Sequence, residues 1–222
     1  LDRLHTEGAG LYAGVRAVIE AARAGELTGL PGPVSSVIRV PEEIEVAIEV
    51  ALGAQLQSVI ATTWNDAQVA IEWLKRTRAG RATFLPLDAL RPPSMLELPR
   101  VPGVLGVASQ LISYDPVYES AVTLLLGRTA VARDLAAARD LYRSLQGGFR
   151  IATLDGEIVR SGGSVTGGES KQPRGPGLLT RERERRELRE QARSLRRSLS
   201  GLRTEKEEAD KFFSRFSKLI RN

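Results

Sequence analysis

Apolar residues fall into two copies of one pattern along the first 170 positions. Ile44, Ala47, Ile48, Ala51 and Leu52 stand at i, i+3, i+4, i+7 and i+8, and Gly53 follows. Tyr118, Ala121, Val122, Leu125 and Leu126 repeat that spacing, and Gly127 follows. Each run predicts an amphipathic helix that begins near a proline, Pro41 or Pro116, and is stopped by a glycine entering the left-handed region. Behind each glycine lies a strand candidate, Leu56–Ala61 or Thr129–Arg133. A second helix is then predicted behind a polar cap, Asn65/Asp66 or Asp134. Its apolar face is Ala67, Ala70, Ile71 and Leu74 in the first copy and Ala138, Leu141, Tyr142 and Leu145 in the second. Strand candidates Ala82–Leu85 and Arg150–Leu154 close the copies, each preceded by a glycine, Gly80 or Gly148. Upstream, Pro31-Gly32 and Pro102-Gly103 also correspond. Five features in one order predict a structural duplication, two related α/β subdomains in one body.

The pattern changes after a Gly/Pro-rich junction, Gly162 to Gly177. With Leu188 at d, the series runs through Ala192, Leu195, Leu199, Leu202, Lys206, Ala209, Phe213, Phe216 and Ile220. Lys206 is its one polar member, and charges crowd the remaining positions. This heptad repeat predicts a coiled-coil helix from about Leu178, roughly 65 Å long if it reaches Ile220. Nothing nearby in the sequence covers its stripe, so a partner helix is required. Leu1-Asp2-Arg3-Leu4-His5 reads as the stub of that partner, which would set the body at the bend of an antiparallel hairpin. A parallel homodimeric zipper is the alternative from heptads alone.

Charge divides along the same line. Residues 1–170 hold 16 Lys/Arg against 19 Asp/Glu, net −3, and residues 171–222 hold 16 against 8, net +8. The sequence pI of about 9.9 therefore belongs to the tail. Cysteine is absent, which excludes disulfides and thiol chemistry and fits a reducing cytosol. His5 is the single histidine, leaving no basis for a zinc cluster or a Ser-His-Asp triad. No apolar run reaches the roughly 18 residues of a membrane span, and no signal peptide opens the chain. Met95 is the only methionine, so Leu1 is expected to be an internal position of a longer chain.

Three segments in order resemble the hinge of bacterial SMC (structural maintenance of chromosomes) proteins. They are Ala47-Ile48-Glu49-Val50-Ala51-Leu52-Gly53, Gly80-Arg81-Ala82-Thr83-Phe84-Leu85-Pro86-Leu87, and Thr153-Leu154-Asp155-Gly156-Glu157 with Ser161 through Gly168. The resemblance spans about residues 8–170, and the heptad tail stands where the family places its returning arm. It implies an α+β fold with an arm stub at 1–7, a hinge at 8–170 and a junction with its coiled-coil helix at 171–222. The two subdomains would be about 8–95 and 96–170. It also implies a homodimer serving chromosome condensation and segregation, cytoplasmic and nucleoid-associated, whose ATPase lies in head domains elsewhere in the parent chain. No G-x-x-x-x-G-K-[ST] occurs, so neither ATP binding nor catalysis is expected of this chain, and no cofactor or metal.

Gly162, Gly163, Gly167 and Gly168 admit three readings. A phosphate cradle, as in an α/β domain binding a phosphate-bearing ligand, lacks the expected lysine and following helix, because Lys171 precedes Gln172-Pro173. A flexible linker fits poorly with the strand-like Ile158-Val159 and Val165. A close-contact surface is the third, since residues without side chains let two backbones approach. The resemblance places these glycines at the hinge–hinge contact.

For DNA the candidates are Arg174, Arg181, Arg183, Arg185 and Arg186 beside the junction, and Lys75, Arg76, Arg78 and Arg81 in the body. Arg/Glu alternation is also the usual solvated flank of a coiled coil. With aromatics at 5%, any DNA contact would be backbone-directed, weak and salt-sensitive. A membrane-surface role for the basic helix is disfavoured by its narrow stripe. Trp64 and Trp73 are expected to be packing residues.

Overall fold

The computed structural model describes residues 11–168 and 177–220, with backbone alone for 208–220. The expected arm stub at 1–7 and Arg174 lie outside the described residues. The chain forms two compact units, Leu1–Thr180 and Arg181–Asn222.

The first unit contains one element order twice. Strand β1 (Gly32–Pro33) leads through the short helix α2 (Val34–Val37) to β2 (Ile38–Arg39) and a 3-10 turn at Glu42–Ile44. Helix α3 (Glu45–Leu52), strand β3 (Val59–Ala61), helix α4 (Trp64–Thr77) and strand β4 (Phe84–Pro86) follow. In the second copy β5 (Val104–Val107), a 3-10 turn at Ala108–Gln110, β6 (Ser113–Tyr114) and a 3-10 turn at Pro116–Tyr118 take the same places. They lead into helix α5 (Glu119–Leu126), strand β7 (Thr129–Ala132), helix α6 (Leu135–Ser144) and strand β8 (Arg150–Thr153). Helix α1 (Ala13–Arg23) precedes the first copy, and strands β9 (Ile158–Arg160) and β10 (Val165–Thr166) extend the second.

Each copy builds its sheet around a parallel pair joined by its second helix. β3 and β4 pair in parallel, with Ile60 facing Leu85, and β1 adds antiparallel to β3. β7 and β8 pair in parallel, with Val131 facing Ala152, and β5 adds antiparallel to β7. The second sheet has the order β10-β9-β8-β7-β5, whereas the first stops at β1-β3-β4. Every residue of β3 and β7 is buried, as parallel strands covered on both faces require. β2 and β6 pair with each other, Ile38 facing Tyr114 and Arg39 facing Ser113, and tie the copies together. Helices α3 and α5 share the central cluster that includes Ile48, Leu52, Val122 and Leu126.

Several local expectations are corrected. Gly127 is right-handed, at φ −64°, its N–H donating to the Thr123 carbonyl, and a Cβ there would stand 2.5 Å from that oxygen. Of the two, Gly53 has a positive φ, +50°, but its ψ of −125° also lies outside the left-handed helical region. Leu56 and Gln57 lie in a 3-10 turn that delays β3 to Val59. The cap of α4 is Thr63, with Asp66 three positions later completing a capping box. Asp134 does cap α6, accepting from the Ala137 N–H at 2.8 Å. Ile71 is exposed rather than part of the buried face of α4. Trp64 is also exposed, whereas Trp73 packs against the α1 cluster and donates from Nε1 to Glu26.

Gly14 explains why a glycine-led segment follows α4. A Cβ on Gly14 would overlap the backbone of Arg81, and Gly80 next to it has φ +109°. Helix α1 therefore crosses the strand entry at backbone contact.

Helix α7 (Leu178–Ile220) has the bounds expected from its heptads.

Candidate interaction sites

The β9–β10 hairpin forms one end of the second sheet. Val165 faces Val159 and Thr166 faces Ile158, while β10 has no strand on its outer side among the described residues. Val165 is 60% exposed, in a strand where both residues are exposed. Its turn closes through Arg160 N–H to Ser164 O at 2.9 Å and Gly163 N–H to Arg160 O at 2.8 Å.

The four glycines fall into three kinds. Gly163 has φ +84°, which the turn requires, and a Cβ there would come 3.3 Å from the Tyr142 hydroxyl. Gly167 lies against Glu157, whose Cγ would be 2.6 Å from an added Cβ. Gly162 and Gly168 open onto free space, Gly168 with φ +106°. Two of the four are thus bare outward while two are shaped from within. The loop closes an antiparallel hairpin, and residues 169–176 directly behind it lie outside the described residues.

A second site, not anticipated from the sequence, holds the first turn of α7 within the first unit. Leu179 is 4% exposed and belongs to the central cluster with Ile44, Ile48 and Leu52. Leu178 donates its backbone N–H to Glu49 Oε1 at 3.1 Å, and Thr180 donates its hydroxyl to Glu45 Oε2 at 3.0 Å. Gly177, just before the helix, has no side chain to cap it, and a Cβ there would overlap the Glu49 carboxylate. Glu49 supplies from α3 the acceptor that an N-cap side chain normally gives, and its charge suits the positive end of the helix dipole. Two sequence features bear on this site without locating it: Glu45 and Glu49 share a face at i, i+4, and a 43-residue helix starts behind glycine with no cap of its own.

Arg150 was also missed as a site residue, having been read only as the start of a strand. It is half-buried, with Nη1 donating to Ala51 O at 2.9 Å and Nη2 to Leu125 O at 2.7 Å. Burial first, and then the charge of Arg160, lower its pKa from the ordinary arginine value. Arginine stays cationic regardless.

The basic candidates form two groups. Lys75 and Arg76 lie in the last turn of α4, Arg78 is its cap and Arg81 follows in the segment leading to β4; all four are exposed. Cations there complement the helix dipole. Arg78 caps α4 in the left-handed region with φ 54°. Arg181, Arg183, Arg185 and Arg186 lie on the first turns of the second unit, where Arg183 pairs with Glu187 at 3.6 Å and Arg185 pairs with Glu182. Such pairing is what a solvated helix flank gives.

The heptad stripe is bare where it is described. Leu188, Leu195, Leu199 and Leu202 are 47%, 70%, 52% and 64% exposed, and Ala192 is exposed as well. Ala209, Phe213, Phe216 and Ile220 have helical backbone, but their side chains lie outside the described set. No group of three or more His, Cys, Asp or Glu side chains able to hold a metal occurs among the described residues. No described helix is long and apolar enough to cross a membrane.

Comparison with known proteins sets these sites in context. Residues 27–142 match the family model described as the SMC proteins flexible hinge domain. The chain is 39% identical over 189 residues to the chromosome partition protein Smc of Bacillus subtilis (strain 168), covering 83% of this chain and 16% of that protein. It thus spans about a sixth of that relative's length. Among solved structures it is similar to an asymmetric dimer of the Geobacillus stearothermophilus SMC hinge domain. That likeness has TM-score 0.77 and 35% identity, over 90% of this chain and 80% of that one. A Pyrococcus furiosus Smc hinge domain with an extended coiled coil is similar at TM-score 0.62 and 31% identity, over 92% of this chain and 72% of that one.

Proposed function

Because the chain belongs to the SMC flexible hinge family, we propose that it is the homodimerising hinge of a chromosome-partition Smc protein, without catalysis of its own. The observation that carries this reading is the outer edge of β10, which no strand among the described residues pairs with, flanked by Gly162 and Gly168 with free space beside them. An unpaired edge with bare glycines admits another backbone at strand distance. The complementary edge is that of β4, because the first sheet ends where the second continues into β9 and β10. Pairing β10 of one copy with β4 of the other occurs twice about a two-fold axis, closing the dimer. We assign α7 as one strand of a coiled coil whose partner is the N-terminal arm of the same parent chain, since its leucines are exposed at heptad spacing.

DNA contact is assigned to the basic groups at 75–81 and near the coil junction, without sequence preference and within the cytoplasmic nucleoid. The arginine pairing with Glu182 and Glu187 limits the tail's share. Duplex affinity should fall steeply between low and moderate salt; a flat response contradicts this assignment.

Dimerisation is tested by light scattering. The unaltered chain should have dimer mass, and the paired change Gly162→Glu and Gly168→Glu should give monomers with an unchanged circular dichroism spectrum. An unaltered dimer mass in the paired variant would refute the β10 assignment.

A further inference from the structure

Ala51 and Leu125 are equivalent positions of the two copies, each the last but one residue of its helix. Carbonyls in the last turn lack an intrahelical donor and carry the negative end of the helix dipole. One guanidinium, that of Arg150, answers both, and no salt bridge to it is found among the described residues. Two paths lead away from it. Through α3 the path reaches Glu45, Glu49 and the seat of Leu178, Leu179 and Thr180. Across the sheet, Arg150 is the register partner of Arg160, whose Nη1 donates to Thr166 Oγ1 on β10 at 3.2 Å.

We infer that Arg150 is a positioning residue that couples the seat of α7 to the β10 edge, so that loosening either site loosens the other. This rests on the homodimer reading given above. A fork bonded to the ends of two helices holds α3 and α5 in one fixed relation to β8, and both sites hang on that relation.

The test compares the whole chain with its Arg150→Met variant by analytical ultracentrifugation and amide hydrogen exchange. Dimerisation should weaken about tenfold, the contribution of about one charge-assisted hydrogen bond at the ends of α3 and α5 carried through to the edge. Exchange should quicken together at Val165–Thr166 and Leu178–Thr180, although neither segment is altered. Arg150→Lys, which keeps the charge without the fork, should move both readouts in the same direction by less, and serves if the methionine variant does not fold. Asp134→Ala, which uncaps α6 and touches neither sheet edge nor the seat of α7, should lower thermal stability while leaving the dimer constant within about twofold. Variants at Arg150 with unchanged dimer constant and exchange overturn the coupling, as does an Asp134→Ala shift as large as theirs. A monomeric unaltered chain would instead sink the homodimer reading.

Discussion

Removing the Leu179 side chain should release the first turn of α7 without unfolding the body. Leu179 lies on the central cluster at 4% exposure, so truncation to alanine forfeits about 2 kcal/mol of transfer energy. The cavity left behind would raise the cost toward the roughly 3–5 kcal/mol of buried leucines. That larger sum applies only to a residue that cannot leave. The seat is held besides by two carboxylate contacts, Glu49 with the Leu178 N–H and Glu45 with the Thr180 hydroxyl, a cap-type contact contributing about 1 kcal/mol. Total docking energy is therefore about 3–4 kcal/mol, and it limits what any seat variant can lose before the turn comes free. Glu49→Ala alone should cost about 1 kcal/mol of local stability, whereas in the Leu179→Ala background it should cost nearly nothing. The double-mutant cycle should give a coupling of about 1 kcal/mol. Hydrogen exchange at residues 178–180 measures the local term, and urea unfolding of the body measures the global one. Ile48→Ala, in the same cluster at 0% exposure, should cost the full 2–5 kcal/mol globally. Strict additivity of the two seat variants, or a global loss from Leu179→Ala equal to that from Ile48→Ala with the seat still protected, would refute the reasoning.

Three further outcomes follow from local geometry. Gly14→Ala should destabilise the body by about 1–3 kcal/mol, because its methyl group meets the Arg81 backbone; chemical denaturation reads the loss. Thr63→Ala and Asp134→Ala should each cost about 1 kcal/mol as equivalent caps of α4 and α6, and a thermal melt that moves for only one of them breaks the equivalence. Gly163→Ala should cost about 1 kcal/mol for its positive φ while Gly162→Ala leaves monomer stability unchanged, as measured by thermal unfolding below the dimerisation range.

Much of the architecture was legible in the sequence because its signals are local. Helices α3 and α5 read cleanly since their apolar residues recur at helical spacing, and α7 read to its ends since heptads persist along it. The strands were harder at their margins: Leu56 and Gln57 carry apolar and amide groups consistent with a strand, yet they turn in a 3-10 helix before β3. Gly127 was misread because a glycine after a helix usually marks a left-handed cap, while here it is the space beside the Thr123 carbonyl that excludes a side chain. The cap at Thr63 was displaced onto its partner Asp66, the two residues of a capping box being near-equal signals without coordinates. What escaped altogether were contacts across long sequence separations. Glu49 meets Leu178, and Arg150 meets Ala51; no periodicity along one segment encodes such meetings.

The short ribbon between β2 and β6 bears on ancestry. Residue 38 faces 114 and residue 39 faces 113, so exchanging the two copies maps the ribbon onto itself. A pair of identical small proteins meeting about a local dyad would build that same ladder. The present chain has the form of such a pair joined end to end. Arg150 and the β9–β10 hairpin are then features of the second half that the first does not repeat.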